Sequence, residues 1–210
     1  MQTAQLVGDN QLNFRIFHCS SQDAHHVVTE LTNLNRDPLQ IVGWQSQRFC
    51  IYPQELILQF QCPVHINQLK LLAHETKIAS KIELFSFMPG VDGDQSAQMP
   101  GISTLVTPAN SDKLFNRIGH FSLDSNESSG FQSRELKTVH MGVTCQFFKL
   151  LLHKNHDNTY NLFNQVGLIK LQFLGTYLGD YEVMSLKGGS QPVLGSSHDQ
   201  KIGASPRMME

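Results

Sequence analysis

The sequence has little net charge and no long apolar run. Among its 210 residues, 16 are Lys or Arg and 18 are Asp or Glu, so the formal net charge at pH 7 is −2. Such a chain has no strong electrostatic field to attract nucleic acid or an anionic membrane surface. Its apolar runs have the length of strands and are too short to span a bilayer. Residues 1–17 lack the basic start and apolar core of a secretory signal. We therefore expect a cytosolic protein that binds neither nucleic acid nor membrane.

Cysteine is scarce, and its spacing does not suggest metal binding. The four cysteines are Cys19, Cys50, Cys62 and Cys145, and none forms a CxxC pair. In a chain without a secretory route this pattern favours free thiols over disulfides.

Catalytic and metal-binding motifs are also missing. The pair His74-Glu75 begins an HExxH zinc motif, but Ile78 stands where the second histidine is required. His153 and His156 have the spacing of metal ligands, although no cysteine or acidic partner set accompanies them, so turn hydrogen bonding is the better interpretation. There is no GxSxG elbow, P-loop or GxGxxG sequence. We expect no enzyme activity, no cofactor and no metal site.

What the sequence does contain is alternation of apolar and polar residues with a period of two. It is clearest in residues 146–175, where two apolar stripes flank a turn rich in Asn and Asp. The stripes are Phe148, Leu150 and Leu152 before the turn, and Ile169, Leu171 and Phe173 after it. This alternation is typical of half-buried strands, and Asn and Asp side chains close turns. The segment predicts two strands around the turn 153–165.

Similar alternation predicts strands elsewhere in the chain. The segments are 13–18, 56–60, 67–73, 78–87, 114–123 and 134–141. Pro53 and Pro63 are expected to interrupt the strands in which they stand. Residues 23–34 are ambiguous, because Asp23 could cap a helix while several β-branched residues favour a strand. Since the surrounding segments are all β, we predict a strand there.

These segments predict an all-β fold of about eight or nine short strands, an antiparallel β-sandwich of jelly-roll type. The predicted domain spans residues 1–186 and carries a long surface loop at 88–113, which is rich in Gly and Pro. Residues 187–210 are rich in Gly, Ser and Pro and are expected to form a flexible tail.

Two stretches are candidates for a binding surface. Trp44, the only tryptophan, precedes Arg48 and Phe49. An aromatic residue beside an arginine can anchor a partner, although a tryptophan that fills the core at one end of the sandwich is the simpler interpretation. The asparagines of the 153–165 turn could bind a sugar, Ca²⁺ or a peptide, but such side chains more often bond to their own backbone.

Several stretches together resemble one known family. They include RFCIYPQE at 48–55, LKLLAHETKIASKIELF at 69–85 and HKNHDNTYNLFNQV at 153–166. In this order they resemble the N-terminal domain of the 104-kDa centrosomal protein family, whose algal and ciliate members are flagella-associated. The resemblance covers residues 41–175 and includes the long patterns RFCxxPQE and HxNHxNxYNxxNQV. More remotely, the layout is similar to the galactose-binding, discoidin-type jelly roll.

The resemblance implies a protein of the ciliary tip, distal centriole and basal body that is associated with microtubules, in the cytoskeleton. We therefore expect a non-catalytic protein-interaction module that docks a ciliary or centriolar protein, with microtubule contacts made by other parts of a longer protein. The alternative is a carbohydrate- or Ca²⁺-binding module. Because loops at sheet ends commonly bind partners, the expected contact residues are Trp44, Arg48, His74, Lys77, Asn155, His156 and Asn158.

Overall fold

A computed structural model describes residues 10–33, 42–90 and 111–179, without the side chains of 111 and 112. The predicted tail at 187–210 and most of the predicted loop, residues 91–110, lie outside the described residues. The domain limits 1–186 therefore stay a prediction. Within the described residues, no helix is long and apolar enough to cross a membrane.

The regular secondary structure of the described residues is mostly strand. It has one short helix, α1 at Ser111–Leu114, and two 3-10 helices, at Val28–Thr32 and Glu127–Ser129. The strands are β1 Asn10–Leu12, β2 Phe14–Cys19, β3 Trp44–Gln45, β4 Gln54–Ala73, β5 Lys81–Phe87, β6 Asn116–Ser122, β7 Leu136–Leu152 and β8 Gly167–Tyr177.

Two long strands, β4 and β7, belong to both layers of the sandwich. In the first layer, residues 54–59 of β4 lie between β2 and the end of β7, and β5 and β6 extend that layer. In the second layer, residues 64–73 of β4 lie between β8 and the start of β7, with β1 and β3 on β8. All these pairings are antiparallel. The register of β4 shifts between Gln59 and Val64, where the strand passes from one layer to the other.

The core lies between the two layers and is rich in phenylalanine. The Phe173 ring of the second layer packs edge-on against Phe60 and Phe148 of the first, at centroid distances of 5.4 and 5.1 Å. All three side chains are fully buried. Edge-to-face packing of this kind adds about 0.5–1.5 kcal/mol per pair beyond the burial of area. Phe148 of the β7 stripe and Phe173 of the β8 stripe therefore meet across the core.

A smaller apolar cluster lies on the outer side of the first layer. It consists of Ile57, Phe87, Phe115 and Phe147. Lys149 points into this side of the sheet and is almost fully buried. Its ammonium lies 3.2 Å from the carboxylate of Glu55 and about 5 Å from the Phe85 and Phe115 rings. The alternation of apolar and polar residues in the sequence does not predict this apolar cluster on the outer side of the first layer.

The predicted all-β sandwich is confirmed, and several of its strands are placed correctly. The predicted strand at 23–34 is wrong in the described part, because residues 28–32 form a 3-10 helix that buries Val28 and Leu31. Their burial against the core outweighs the β propensity of the branched side chains. Pro63 does not interrupt β4, and the strands predicted at 134–141 and 146–152 form one strand, β7.

Candidate functional site at the loop end of the sandwich

Three segments named by the sequence analysis meet at one end of the sandwich, which we call the loop end: 42–53, 74–80 and 153–166. The Lys77 ammonium donates to the side-chain oxygens of Gln45 and Gln165, at 2.9 Å for Gln165. The Asn158 amide donates to the Thr76 carbonyl at 2.8 Å. These bonds join all three segments at one end of the sandwich.

Trp44 lies in the core and not on the surface. Its side chain is 0% exposed, and its indole N–H donates to the Ser21 carbonyl at 3.1 Å. The preceding Gly43 has φ of +73°, and a Cβ there would lie 2.5 Å from the Leu168 carbonyl oxygen. Only glycine fits so close to β8. The close contact between Gly43 and β8 brings the Trp44 side chain into the core. Trp44 therefore cannot contact a partner in this structure, and the interpretation as a core tryptophan is correct.

His74 and Lys77 are held by hydrogen bonds within the loop end. The Nδ1 atom of His74 accepts from the backbone N–H groups of Thr76 and Lys77, at 3.1 and 3.4 Å. The imidazole is mostly buried, and this burial lowers its pKa to about 4, with the nearby Lys77 and Arg134 charges acting in the same direction and Glu75 against them. The ring is therefore neutral at pH 7. It serves as an acceptor that closes the turn.

The asparagine-rich turn uses its side chains to bond its own backbone. The buried Asn161 side chain donates to the Gln165 carbonyl at 2.8 Å and accepts from the Gln165 N–H at 3.0 Å. Asn155 is buried and donates to the His156 carbonyl. The Asn158 carboxamide accepts from the Tyr160 N–H. The structure thus supports the interpretation of these asparagines as turn-forming groups.

His156 also has a structural contact. Its Nε2–H donates to the Leu123 carbonyl at 2.8 Å, because a carbonyl oxygen can only accept. His153 bonds instead to the Glu83 carboxylate at 2.9 Å, so the two rings do not converge on a shared site.

The two long patterns that carry the family resemblance contact each other. The Tyr52 hydroxyl donates to the Asn164 carbonyl and lies 3.3 Å from the Asn155 side-chain oxygen. The Phe49 N–H donates to the Phe163 carbonyl at 2.8 Å. RFCxxPQE and HxNHxNxYNxxNQV therefore form one unit, in which the polar residues bind the loops together.

This unit presents two aromatic rings and an arginine to solvent. The rings of Phe49 and Phe163 meet edge-on with centroids 5.6 Å apart, and the Arg48 guanidinium lies 4.4 Å from the Phe163 centroid. Phe49 is 67% exposed. Ile51, two residues further along the chain, is 87% exposed, and Leu162, which precedes Phe163, is 74% exposed. We call these five residues the Phe49–Phe163 patch. Exposed apolar groups clustered in this way are typical of interaction surfaces.

Two further features of the patch bear on binding. Phe49 has φ of +54°, a left-handed conformation that non-glycine residues rarely adopt and that is enriched at functional sites. The Arg48 Nε lies 3.9 Å from the Asp23 carboxylate, while the arginine side chain remains 61% exposed. The pKa of Asp23 is lowered, mainly by a hydrogen bond from the His25 N–H. The Asp23 carboxylate is therefore ionised and attracts the Arg48 guanidinium.

Sequence reasoning found Arg48 but did not select Phe163, Ile51 or Leu162. The signal was present in HKNHDNTYNLFNQV, where Leu162 and Phe163 are apolar residues inside a polar turn. An apolar pair in such a turn is either buried or left exposed for a partner, and the sequence alone does not decide between the two.

The described residues offer no metal centre at this end. Among residues 10–33, 42–90 and 111–179 there is no group of three or more His, Cys, Asp or Glu side chains that could hold a metal ion. Asp157, the one carboxylate of the turn, pairs with Lys154 at 3.0 Å. No specific contact favours the Ca²⁺ alternative, which stays a prediction.

Comparisons of the fold with solved structures place it among galactose-binding-type jelly rolls. A family 32 carbohydrate-binding module from Clostridium perfringens NanJ, in complex with galactose, superposes with a TM-score of 0.55, covering 79% of this chain and 98% of that one at 8% identity. The structure of reduced XRCC1 bound to the DNA polymerase β catalytic domain gives a TM-score of 0.52 over 78% of this chain and 98% of that one, at 15% identity. At such identities the similarity shows the fold alone, and it confirms the predicted discoidin-like layout.

Comparisons of the sequence identify closer relatives. The chain is 39% identical over 135 residues to the centrosomal protein of 104 kDa from Homo sapiens, and 37% identical to the protein from Mus musculus. Each match covers 64% of this chain but only 13% of the relative's length. Residues 43–175 match the family described as the N-terminal domain of centrosomal protein CEP104. The chain therefore belongs to the CEP104 N-terminal domain family.

Proposed function

We propose that this domain is a non-catalytic protein-interaction module of a centrosomal protein, and that it docks a protein partner through the Phe49–Phe163 patch. The observation that carries the proposal is the exposed pair of rings with Arg48 stacked on Phe163. Aromatic residues and arginine are enriched at protein interfaces, and tryptophan, tyrosine and arginine are enriched among the few residues that contribute most of the binding energy. Family membership supports a centrosomal protein as the setting of this module, and the finer location at the ciliary tip and distal centriole is part of the proposal.

The remaining predicted contact residues have a supporting role in this proposal. His74, Lys77, Asn155, His156 and Asn158 bond to the loops themselves. We assign them to positioning the patch, whereas Arg48, Phe49 and Phe163 touch the partner. Microtubule contacts are assigned to other parts of a longer protein, because the chain is nearly neutral and the match covers 13% of the relatives' length.

The proposal is tested by affinity capture from a lysate of ciliated cells with the whole 210-residue chain as bait, read by mass spectrometry. The bait variant Arg48→Ser/Phe163→Ser is compared with a matched control, Arg117→Ser/Tyr177→Ser, which removes an exposed arginine and an exposed aromatic residue elsewhere. We expect the wild-type and control baits to capture centrosomal or ciliary proteins that the patch variant does not capture. Equal capture by all three baits, or capture that free galactose abolishes, would refute docking through the patch.

A further inference from the structure

A cavity lies beside the paired strands β2 and β4, where β4 begins to pass from the first layer to the second. Arg15 of β2 lies opposite Gln59 of β4. The cavity has a volume of about 440 Å³, within the range of about 300–1,000 Å³ that is common for ligand sites. Within residues 10–33, 42–90 and 111–179, the residues that line it are Asn13, Phe14, Arg15, Gln59, Phe60 and Gln61. Arg15 is the one charged residue among these six.

The side chains that this cavity offers to a ligand are polar. The rings of its two phenylalanines pack edge-on against Phe173 in the core, at centroid distances of 5.5 and 5.4 Å. Because successive side chains of a strand point to opposite faces, the neighbouring Arg15 and Gln59 point away from the core. Asn13 and Gln61 are exposed. The cavity therefore combines one guanidinium with three carboxamides.

The guanidinium is held in a fixed orientation by a buried neighbour. The Nε of Arg15 donates to the side-chain oxygen of Gln59 at 2.8 Å, and its Nη2 donates to the same oxygen. The Gln59 side chain is only 7% exposed, so it has little freedom to move. Among the described residues, Gln59 is the one partner of the Arg15 side chain. The end of the guanidinium fork, formed by Nη1 and the second N–H of Nη2, is therefore left to bind a ligand.

From this arrangement we infer that the cavity binds a carboxylate of a polypeptide, with the carboxylate at the end of the Arg15 fork and the adjoining peptide group at the carboxamides of Asn13 and Gln61. The parallel N–H groups of a guanidinium match the two oxygens of a carboxylate. A carboxamide both donates and accepts, so it can pair with the N–H or the C=O of a peptide group. A chain end and an acidic side chain both supply this chemistry.

The composition of the cavity decides between a carboxylate and other anions. Binding to a nucleic-acid backbone commonly uses about 6–10 phosphate contacts, and recognition of an anionic membrane uses clusters of about 4–8 basic residues. A base is held by stacking on an exposed aromatic ring, but the rings of Phe14 and Phe60 lie in the core against Phe173. A single oriented guanidinium beside carboxamides fits a group with one negative charge, which is the charge of a carboxylate.

The inference is tested by NMR titration of the whole ¹⁵N-labelled chain with N-acetylglycine, which carries a carboxylate next to a peptide group. The readout is the Nε–H signal of Arg15, assigned by its loss in Arg15→Lys. We expect a saturable shift that weakens as salt rises from about 20 to about 200 mM, because exposed charge pairs are screened. N-acetylglycinamide, which lacks the charge, should give no saturable shift, and inorganic phosphate should bind more weakly.

Two peptides distinguish the sources of the carboxylate. Acetyl-Gly-Gly-Gly has a free carboxyl end, whereas acetyl-Gly-Asp-Gly-amide carries its carboxylate on a side chain. Tighter binding of the first assigns the site to a chain end, and tighter binding of the second assigns it to an acidic side chain.

Protein variants locate the site. Arg15→Gln is expected to raise the dissociation constant for N-acetylglycine about tenfold or more, since hydrogen bonds to charged groups are lost. Gln59→Glu keeps the size of the side chain but places a competing carboxylate on Arg15, so we expect the same loss with unchanged circular dichroism and no lower melting temperature. The matched control Arg117→Gln removes another exposed arginine of the first layer and should leave binding unchanged.

The result is independent of the proposed function, because Arg48→Ser/Phe163→Ser should also leave binding unchanged. Equal binding of N-acetylglycinamide, tighter binding of phosphate, or full binding by the folded Gln59→Glu variant would overturn the inference.

Discussion

The backbone N–H of Phe49 donates to the carbonyl oxygen of Phe163 at 2.8 Å, and the two side chains meet edge-on beside it. This relationship joins a loop before β4 to the turn before β8, which are separated by more than a hundred residues. It holds both rings at the surface, and the polar side chains around them form hydrogen bonds with the loops themselves. The patch is therefore preorganised, which reduces the entropy that a partner must remove on binding.

The conformation of Phe49 gives the first prediction. A left-handed backbone costs a non-glycine residue about 1–2 kcal/mol and is worst for β-branched residues. We expect Phe49→Gly to change the free energy of unfolding by less than ~1 kcal/mol, and Phe49→Val, which loses the same ring, to be less stable than Phe49→Gly by about 1–2 kcal/mol. Urea denaturation measures both, and a valine variant as stable as the glycine variant would contradict a left-handed Phe49.

The buried Asn161 gives the second prediction. Asn161→Ala removes both of its hydrogen bonds with Gln165 and leaves buried backbone groups without these partners. We expect a loss of about 2–3 kcal/mol in the free energy of unfolding. Thr159→Ala, an exposed position in the same turn, should change it by less than about 0.5 kcal/mol. Equal effects of the two substitutions would show that the Asn161 contacts do not hold the turn.

The neutral state of His74 gives the third prediction, on pH. Its pKa is about 4 in the folded protein because of burial, below its ordinary value of 6.5. Between these values the unfolded chain binds more protons than the folded one, so His74 lowers stability as pH falls from about 6.5 to 4. His74→Asn keeps a turn acceptor but does not titrate, so we expect its loss of stability over this range to be smaller than that of the wild type. Parallel stability curves from pH 7.5 to 4 would refute this role for His74.

How much of this site could be expected from sequence depends on the residue. The stripes of β7 and β8 predict their strands, because alternation follows directly from the pleat. The gathering of the three loops was also expected. The sequence around Trp44 does not predict its burial. That burial depends on the close contact of Gly43, just before β3, with Leu168 on the neighbouring strand β8. The exposure of Phe163 likewise depends on a turn closed by distant residues.

Buried Lys149 gives the fourth prediction, on a feature that sequence patterns hide. Lys149→Met removes the cation beside Glu55, whose side chain is 15% exposed, and we expect a loss of about 1–3 kcal/mol in the free energy of unfolding. Adding Glu55→Gln removes the remaining charge and should restore at least ~1 kcal/mol of it. Glu55→Gln is also measured alone. If the double variant loses as much free energy of unfolding as the two single variants together, the pair is not coupled.

The central claim, that the Phe49–Phe163 patch docks a protein, is tested most directly by site-specific photo-crosslinking. The whole chain is expressed in ciliated cells with Phe163 replaced by p-benzoylphenylalanine, and in parallel with Tyr177, another exposed aromatic residue, replaced by the same group. The account predicts a discrete crosslinked band of a centrosomal or ciliary protein from position 163, absent from position 177 and lost when Arg48→Ser is added. No crosslink from position 163, or the same bands from both positions, would contradict it.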